Sequence, residues 1–178
     1  METIVSLIPS RNDFRRGNFT LEIGYPWISY GAIIAIEGLL KPDHRVLEFG
    51  SGGSTIFWSN RTNSVRSYEN NRKWLRRVQN QLTKNNVTFI FGDKDILIRC
   101  LCAEPNDYYT WILVDIDPYE FRGQMLRECV SKLKRGGGLI IDNYTESHLN
   151  LDFGKGWSVR YFDQINYAYH GTKICFKR

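Results

Sequence analysis

Apolar positions along this chain follow two rhythms that alternate with each other. Short runs with little polar interruption, at Val46 to Phe49, Val87 to Phe91, Trp111 to Asp117 and Leu139 to Asp142, predict strands, and Ser64 to Glu69 reads as another that ends in an acid. Between them apolar residues recur every three or four positions: Ile28, Ala32, Ile33, Ile36, Leu39 and Leu40 ahead of Pro42 and Asp43, then Trp74, Val78 and Leu82 within Asn70 to Lys84, then Met125, Leu126, Cys129, Val130 and Leu133 within Phe121 to Lys134. This spacing predicts helices, the last closed by Arg135-Gly136-Gly137-Gly138 as a C-cap and turn. Ile96 to Ala103 reads as a further buried helix, and Ser158 to Phe162 and Lys173 to Lys177 as two final strands joined around Tyr167 to Gly171. The nearly unbroken WILVDID run suits a central parallel strand covered on both faces. Alternation of this kind builds an open α/β sheet, which binds ligands outside the C-terminal ends of its strands.

Polar residues gather at those ends. The first strand carries Glu48 and runs into Gly50-Ser51-Gly52-Gly53-Ser54-Thr55, a turn of small residues that opens a helix at Ile56. Glycines there let backbone approach a ligand, and the helix start presents free N–H groups. Counted from Gly50, Thr55 stands where a dinucleotide fingerprint needs its third glycine, which argues against NAD. Glu69 ends the second strand about 20 residues after Glu48, the offset at which a carboxylate meets a ribose diol in open α/β nucleotide sites. Asp93 follows the third strand and reads either as a ligand contact or as a plain helix cap. Trp27, Ser29 and Tyr30, at the start of the first helix, either line the pocket or cap the core.

An acid two residues before G-x-G, then YE, GD, VDIDPY and LKRGGGLIIDN at successive strands, resembles the class I S-adenosylmethionine (SAM) methyltransferases over nearly the whole chain. The resemblance implies a Rossmann-like open sheet, mostly parallel and seven-stranded with an antiparallel C-terminal strand, and helices on both faces. It implies SAM as cofactor, with Glu48, Gly50, Ser51, Gly52 and Ser54 at its methionine end, Glu69 at the ribose, Asp93 at the adenine, and Asp115 in the same pocket. The sulfonium of SAM makes the methyl electrophilic, so the protein's task is to align the nucleophile and relieve it of its proton.

Two partial resemblances concern that reacting end. Asp115 with Asp142-Asn143 is similar to the metal-binding pattern of the catechol and caffeoyl-CoA O-methyltransferases, and three hard oxygen ligands would suit Mg²⁺. The lysine base of that family, three positions after the first Asp, is here Pro118. Asp115-Ile116-Asp117-Pro118-Tyr119 is similar to the D-x-D-P-Y/F segment of tRNA guanine dimethyltransferases, where acid and carbonyl groups accept from the target amine and the ring stacks on the base. Asp115, Asp117 and Asp142 are thus the candidate catalytic residues, with His148, in the loop after the fifth strand, as a candidate base.

Size and charge change the picture little. A chain of 178 residues, 42% hydrophobic, supports one domain at 26–178 behind an N-terminal arm at 1–25 that carries Arg11, Arg15 and Arg16. No apolar run is long enough to span a membrane and no secretory signal is legible, so the expected compartment is the cytoplasm and no membrane partner is expected. Cys100, Cys102, Cys129 and Cys175 lack zinc spacing and read as free thiols. The net charge of +5 and the basic face of Asn70 to Lys84 would suit an anionic partner. The expected function is methyl transfer to an O or N atom of a small-molecule acceptor. The alternatives are a methyltransferase of RNA or nucleobase amino groups and a non-catalytic SAM-binding module. Trp157, Tyr161 and Tyr167 are the aromatics on which a homodimer would be built.

Overall fold

The alternating runs become the strands of one sheet. The computed structural model describes residues 20–146, 149, 152–162 and 171–178. Its strands are β1 (Arg45–Phe49), β2 (Ser64–Glu69), β3 (Val87–Phe91), β4 (Tyr109–Val114), β5 (Leu133–Asp142), β6 (Trp157–Phe162) and β7 (Thr172–Lys177). They lie in the order β3-β2-β1-β4-β5-β7-β6, parallel except for β7, which runs antiparallel to both neighbours. The expected Rossmann-like sheet of seven strands is therefore observed. The chain leaves β1 toward β2 and β3 and returns to β4 on the other side, so the loops after β1 and β4 part and open a crevice at this switch point.

Helices α1 (Thr20–Ile23), α2 (Tyr30–Glu37), α3 (Gly53–Arg61), α4 (Arg72–Gln79), α5 (Lys94–Ala103) and α6 (Tyr119–Cys129) cover both faces. The strand alternation divides the core accordingly. Leu47, Phe49, Ile112, Val114, Leu139 and Ile141 pack against Leu97 and Leu101 of α5 and Met125, Leu126 and Cys129 of α6. Val46, Trp111, Leu113, Ile140 and Ile174 pack against Ala32, Ile33 and Ile36 of α2 and Phe57 and Trp58 of α3. Period-2 alternation is thus present inside strands that read as continuous apolar runs, because both faces are buried.

Two helix ends differ from expectation, whereas the described end of the 1–25 arm lies over the domain: Leu21 and Tyr25 are buried, and a Cβ on Gly53 would lie 2.2 Å from the carbonyl oxygens of Thr20 and Tyr25. Gly53, two places before the position examined for a third glycine, is therefore the residue that permits close packing of α3. The Arg135–Gly138 stretch is no cap. The α6 helix ends at Cys129, a 3-10 turn follows at Val130–Lys132, and the glycines lie within β5. Gly138 pairs with Trp111, whose ring would stand 2.3 Å from any Cβ there, so the neighbour's bulk requires glycine in the strand. Finally, α4 stops at Gln79, and Leu75 and Val78 are its buried residues, which frees Trp74 for another role.

Candidate active site at the switch point

A cavity of about 350 Å³ opens in the crevice, between the loop after β1 (Gly50, Ser51), the tip of β2 and the start of α4 (Glu69, Asn70, Asn71, Trp74) and the loop after β4 (Asp115, Ile116, Asp117). That volume lies within the range of small-molecule sites. Gly50 sits at φ +92°, and a Cβ on it would lie 2.3 Å from the Asp115 carbonyl oxygen, so only glycine lets the two loops pass this closely. Gly52 is different. Its backbone is extended, its N–H donates to the Thr55 hydroxyl, and a Cβ would make only ordinary contact with the Trp74 ring.

Glu69 holds this wall together. Its Oε2 accepts from the Ser51 N–H at 2.9 Å and the Ser51 hydroxyl at 2.6 Å, and its Oε1 from the N–H groups of Asn70 and Asn71. The tip of β2 is thereby tied to the turn after β1. A carboxylate has about four lone-pair positions, so a diol arriving here would compete with the Ser51 hydroxyl. The Trp74 indole N–H donates to the Ser51 carbonyl, which turns its ring toward the cavity and away from the core. Trp74 was not recognisable as a site residue, since helical spacing alone places it on a core face.

Beneath the loop, Glu48 is completely buried and does not reach the cavity. Its Oε2 accepts from Ser54 at 2.8 Å, while Oε1 and the Ser67 hydroxyl lack a hydrogen-bond partner of good geometry among the described residues. Burial pushes the Glu48 carboxyl up to about 7, against the hydroxyls of Thr55, Ser67 and Ser54, which favour its charge. Ser54 thus binds Glu48 rather than lining the cavity. Asp93 is exposed, caps α5 by accepting from the Ile96 N–H at 3.0 Å, and does not line the cavity. This is the cap that the sequence left open.

The acidic ends of β4 and β5 centre on a residue outside the predicted set. The Arg122 guanidinium, its side chain 4% exposed, lies 2.8 Å from Asp115 Oδ1 and 3.5 Å from Asp117 Oδ1. It donates to Asn143 Oδ1 at 2.8 Å and to the Ile116 carbonyl at 2.8 Å. The expected Mg²⁺ ligands Asp115 and Asn143 therefore converge on a cation that the chain itself supplies. A dication coordinating the same oxygens would stand within about 4 to 5 Å of the guanidinium, where the repulsion at an effective dielectric of 20 is of order 7 kcal/mol. The donor set does not fit Mg²⁺ while Arg122 is in place, and among the described residues no group of three His, Cys, Asp or Glu converges as a metal site.

Asp142, the third expected ligand, turns to Thr172, whose hydroxyl donates to its Oδ1 at 2.7 Å. Thr172 in turn exchanges hydrogen bonds with Ser29, which joins the start of α2 to β7 and settles Ser29 as structural. Burial and the charge of Asp115 both push the Asp142 carboxyl upward, and burial also pushes Asp115 upward, against the Arg122 guanidinium, which favours its charge. Asp117 is exposed, and its carbonyl accepts from the Asn70 side chain. His148 lies outside the described residues. Arg122 was legible in one respect: with Met125, Leu126 and Cys129 it falls at i, i+3, i+4 and i+7, a cation on the apolar face of its helix, where a partner is obligatory.

No protein-family model matches the chain, and no curated protein matches it significantly. Solved structures do. The O-methyltransferase TomG of Streptomyces achromogenes, crystallised with SAM and involved in tomaymycin synthesis, superposes with a TM-score of 0.70 at 14% identity over 97% of this chain and 92% of its own. A putative caffeoyl-CoA O-methyltransferase from Staphylococcus aureus gives 0.63 at 16% identity, over 96% and 93% of the two chains. An rRNA methylase from Streptococcus thermophilus gives 0.64 at 14%, over 82% and 95%. At these identities the likeness shows the fold, that of the class I SAM-dependent methyltransferases.

Proposed function

We propose that this chain, built on the class I methyltransferase fold, transfers a methyl group from SAM to an O or N atom of a small-molecule acceptor. One observation carries the reading: Glu69 and the Gly50-Ser51 turn form a single hydrogen-bonded wall of a cavity at the switch point, opposite Asp115. The residues suit the cofactor. Glu69 accepts from the ribose hydroxyls, Gly50 and Ser51 offer close backbone to the methionine portion, Trp74 and Ile116 supply apolar wall for the purine, and Asp115 suits the amino group. Glu48 and Ser54 support the turn from below, and the bound cofactor supplies an electrophilic methyl. Asp142 and the Arg122 cluster stand at the end where the acceptor is expected.

RNA is the second reading. The exposed Arg72, Lys73 and Arg76 lie on the helix that contributes Trp74 to the cavity. The test is titration calorimetry with SAM, S-adenosylhomocysteine (SAH) and NAD, followed by labelled-methyl transfer to phenols, amines and RNA. The expected result is micromolar SAM and SAH binding, no NAD binding, and label in a small acceptor. Label in RNA alone selects the second reading, binding without transfer selects a SAM-binding module, and absence of SAM or SAH binding at millimolar concentration ends all three. Among the described residues no helix is long and apolar enough to cross a membrane.

A further inference from the structure

The acidic ends of β4 and β5 are the expected seat of a metal ion, yet a side chain of the protein already occupies them. Arg122 Nη2 is 2.8 Å from Asp115 Oδ1 and Nη1 is 2.8 Å from Asn143 Oδ1, so oxygens from the two strand ends are bridged by one guanidinium. Its orientation is over-determined. Nε donates to the Ile116 carbonyl, and the guanidinium carbon stacks 4.4 Å from the centre of the Tyr119 ring. Planar donors held on three sides and stacked on a fourth do not wander as a surface arginine does. Asp115 meets the guanidinium directly, whereas Asp142 accepts from the Thr172 hydroxyl.

We propose that Arg122 is the resident cation of the acceptor end. It takes the place and the electrostatic role of a divalent ion, so the site works without a metal and becomes a metal site when Arg122 is removed. The first half rests on the methyltransferase reading. The second concerns only the chain's own oxygens and is tested without cofactor or activity. With Arg122 gone, Asp115, Asp142 and Asn143 are three hard oxygen donors of the kind that hold Mg²⁺ or Mn²⁺.

The experiment is Mn²⁺ titration of the full chain, read by the loss of the free-ion electron paramagnetic resonance signal and by the thermal midpoint with and without Mn²⁺ or EDTA. Variants are Arg122→Met, which keeps the volume and removes the charge, Arg122→Lys, which keeps the charge, and the double variant R122M/D115N. Wild type and Arg122→Lys are expected to bind Mn²⁺ no more tightly than about 1 mM, and Arg122→Met at least roughly tenfold more tightly, with a midpoint that rises in Mn²⁺. The double variant is expected to lose that gain. A wild type that binds Mn²⁺ well below 1 mM, or a folded Arg122→Met that binds no better than wild type, overturns the proposal. Should Arg122→Met fail to fold, the same comparison with Arg122→Gln and the wild-type titration decide it. Failure of SAH binding would remove the methyltransferase reading and leave these metal measurements as they stand.

Discussion

Replacing Glu48 by Gln should make this protein more stable, by an amount that depends on pH. The carboxyl is completely buried, and its pKa is raised from 4.5 in the open chain to about 7 in the fold. Between those values the unfolded chain has released a proton that the folded chain retains, so folding stability falls as pH rises through the window and the loss is complete above about 7. At 1.36 kcal/mol per pKa unit the whole interval corresponds to about 3 kcal/mol. Gln keeps an acceptor for the Ser54 hydroxyl, places an amide donor toward the unsatisfied Ser67 oxygen, and never ionises. Urea denaturation of both proteins from pH 4.5 to pH 8.5 checks this. The variant should be about 3 kcal/mol more stable at pH 8, equivalent to a thermal midpoint roughly 6 to 12 °C higher, with the difference shrinking toward zero below pH 5. The raised carboxyls of Asp115 and Asp142 titrate alike in both proteins and cancel in the difference. Parallel stability profiles, or a variant less stable than wild type at pH 8, would refute the reasoning and show that Glu48 is stably ionised in the fold.

Further outcomes follow from the same geometry. Glu69→Ala removes the tie between β2 and the first turn as well as the proposed diol acceptor. Calorimetry should show SAH affinity lower by about 1 to 3 kcal/mol, and unchanged affinity rejects the ribose role. Gly50→Ala combines φ +92° with a Cβ 2.3 Å from the Asp115 carbonyl, so a loss of about 3 kcal/mol or more in denaturation, or failure to fold, is expected; Gly52→Ala, whose Cβ meets only the Trp74 ring at ordinary contact distance, should cost about 1 kcal/mol or less. Asp117→Asn, at an exposed carboxylate 3.5 Å from Arg122, should leave stability within about 0.5 kcal/mol, so any large fall in transfer rate would locate Asp117 at the acceptor itself.

The legible part of this protein was the part encoded locally. Strand and helix rhythm, the acid at each strand tip and the small residues after β1 are properties of contiguous sequence, and they predicted the sheet, its ligand edge and the loop where the cavity lies. What an acid at a strand tip does is not local. Glu48, Glu69 and Asp93 looked alike, yet one is buried on Ser54, one ties two loops and lines the cavity, and one caps a helix in solvent, because each answers to whatever the fold packs against it. The Arg135–Gly138 stretch reads as a cap until Trp111 stands beside it in the sheet. Asp115 and Asn143 resemble metal ligands in sequence, and only the folded chain brings Arg122 between them, from a helix whose register no motif records. The sequence by itself determined the sheet and the edge at which the cavity lies, because backbone pattern follows from neighbouring residues. The tertiary structure decided the charge partners, because a carboxylate's role is set by the donors within about 3 Å of it, and these come from segments far apart in the chain.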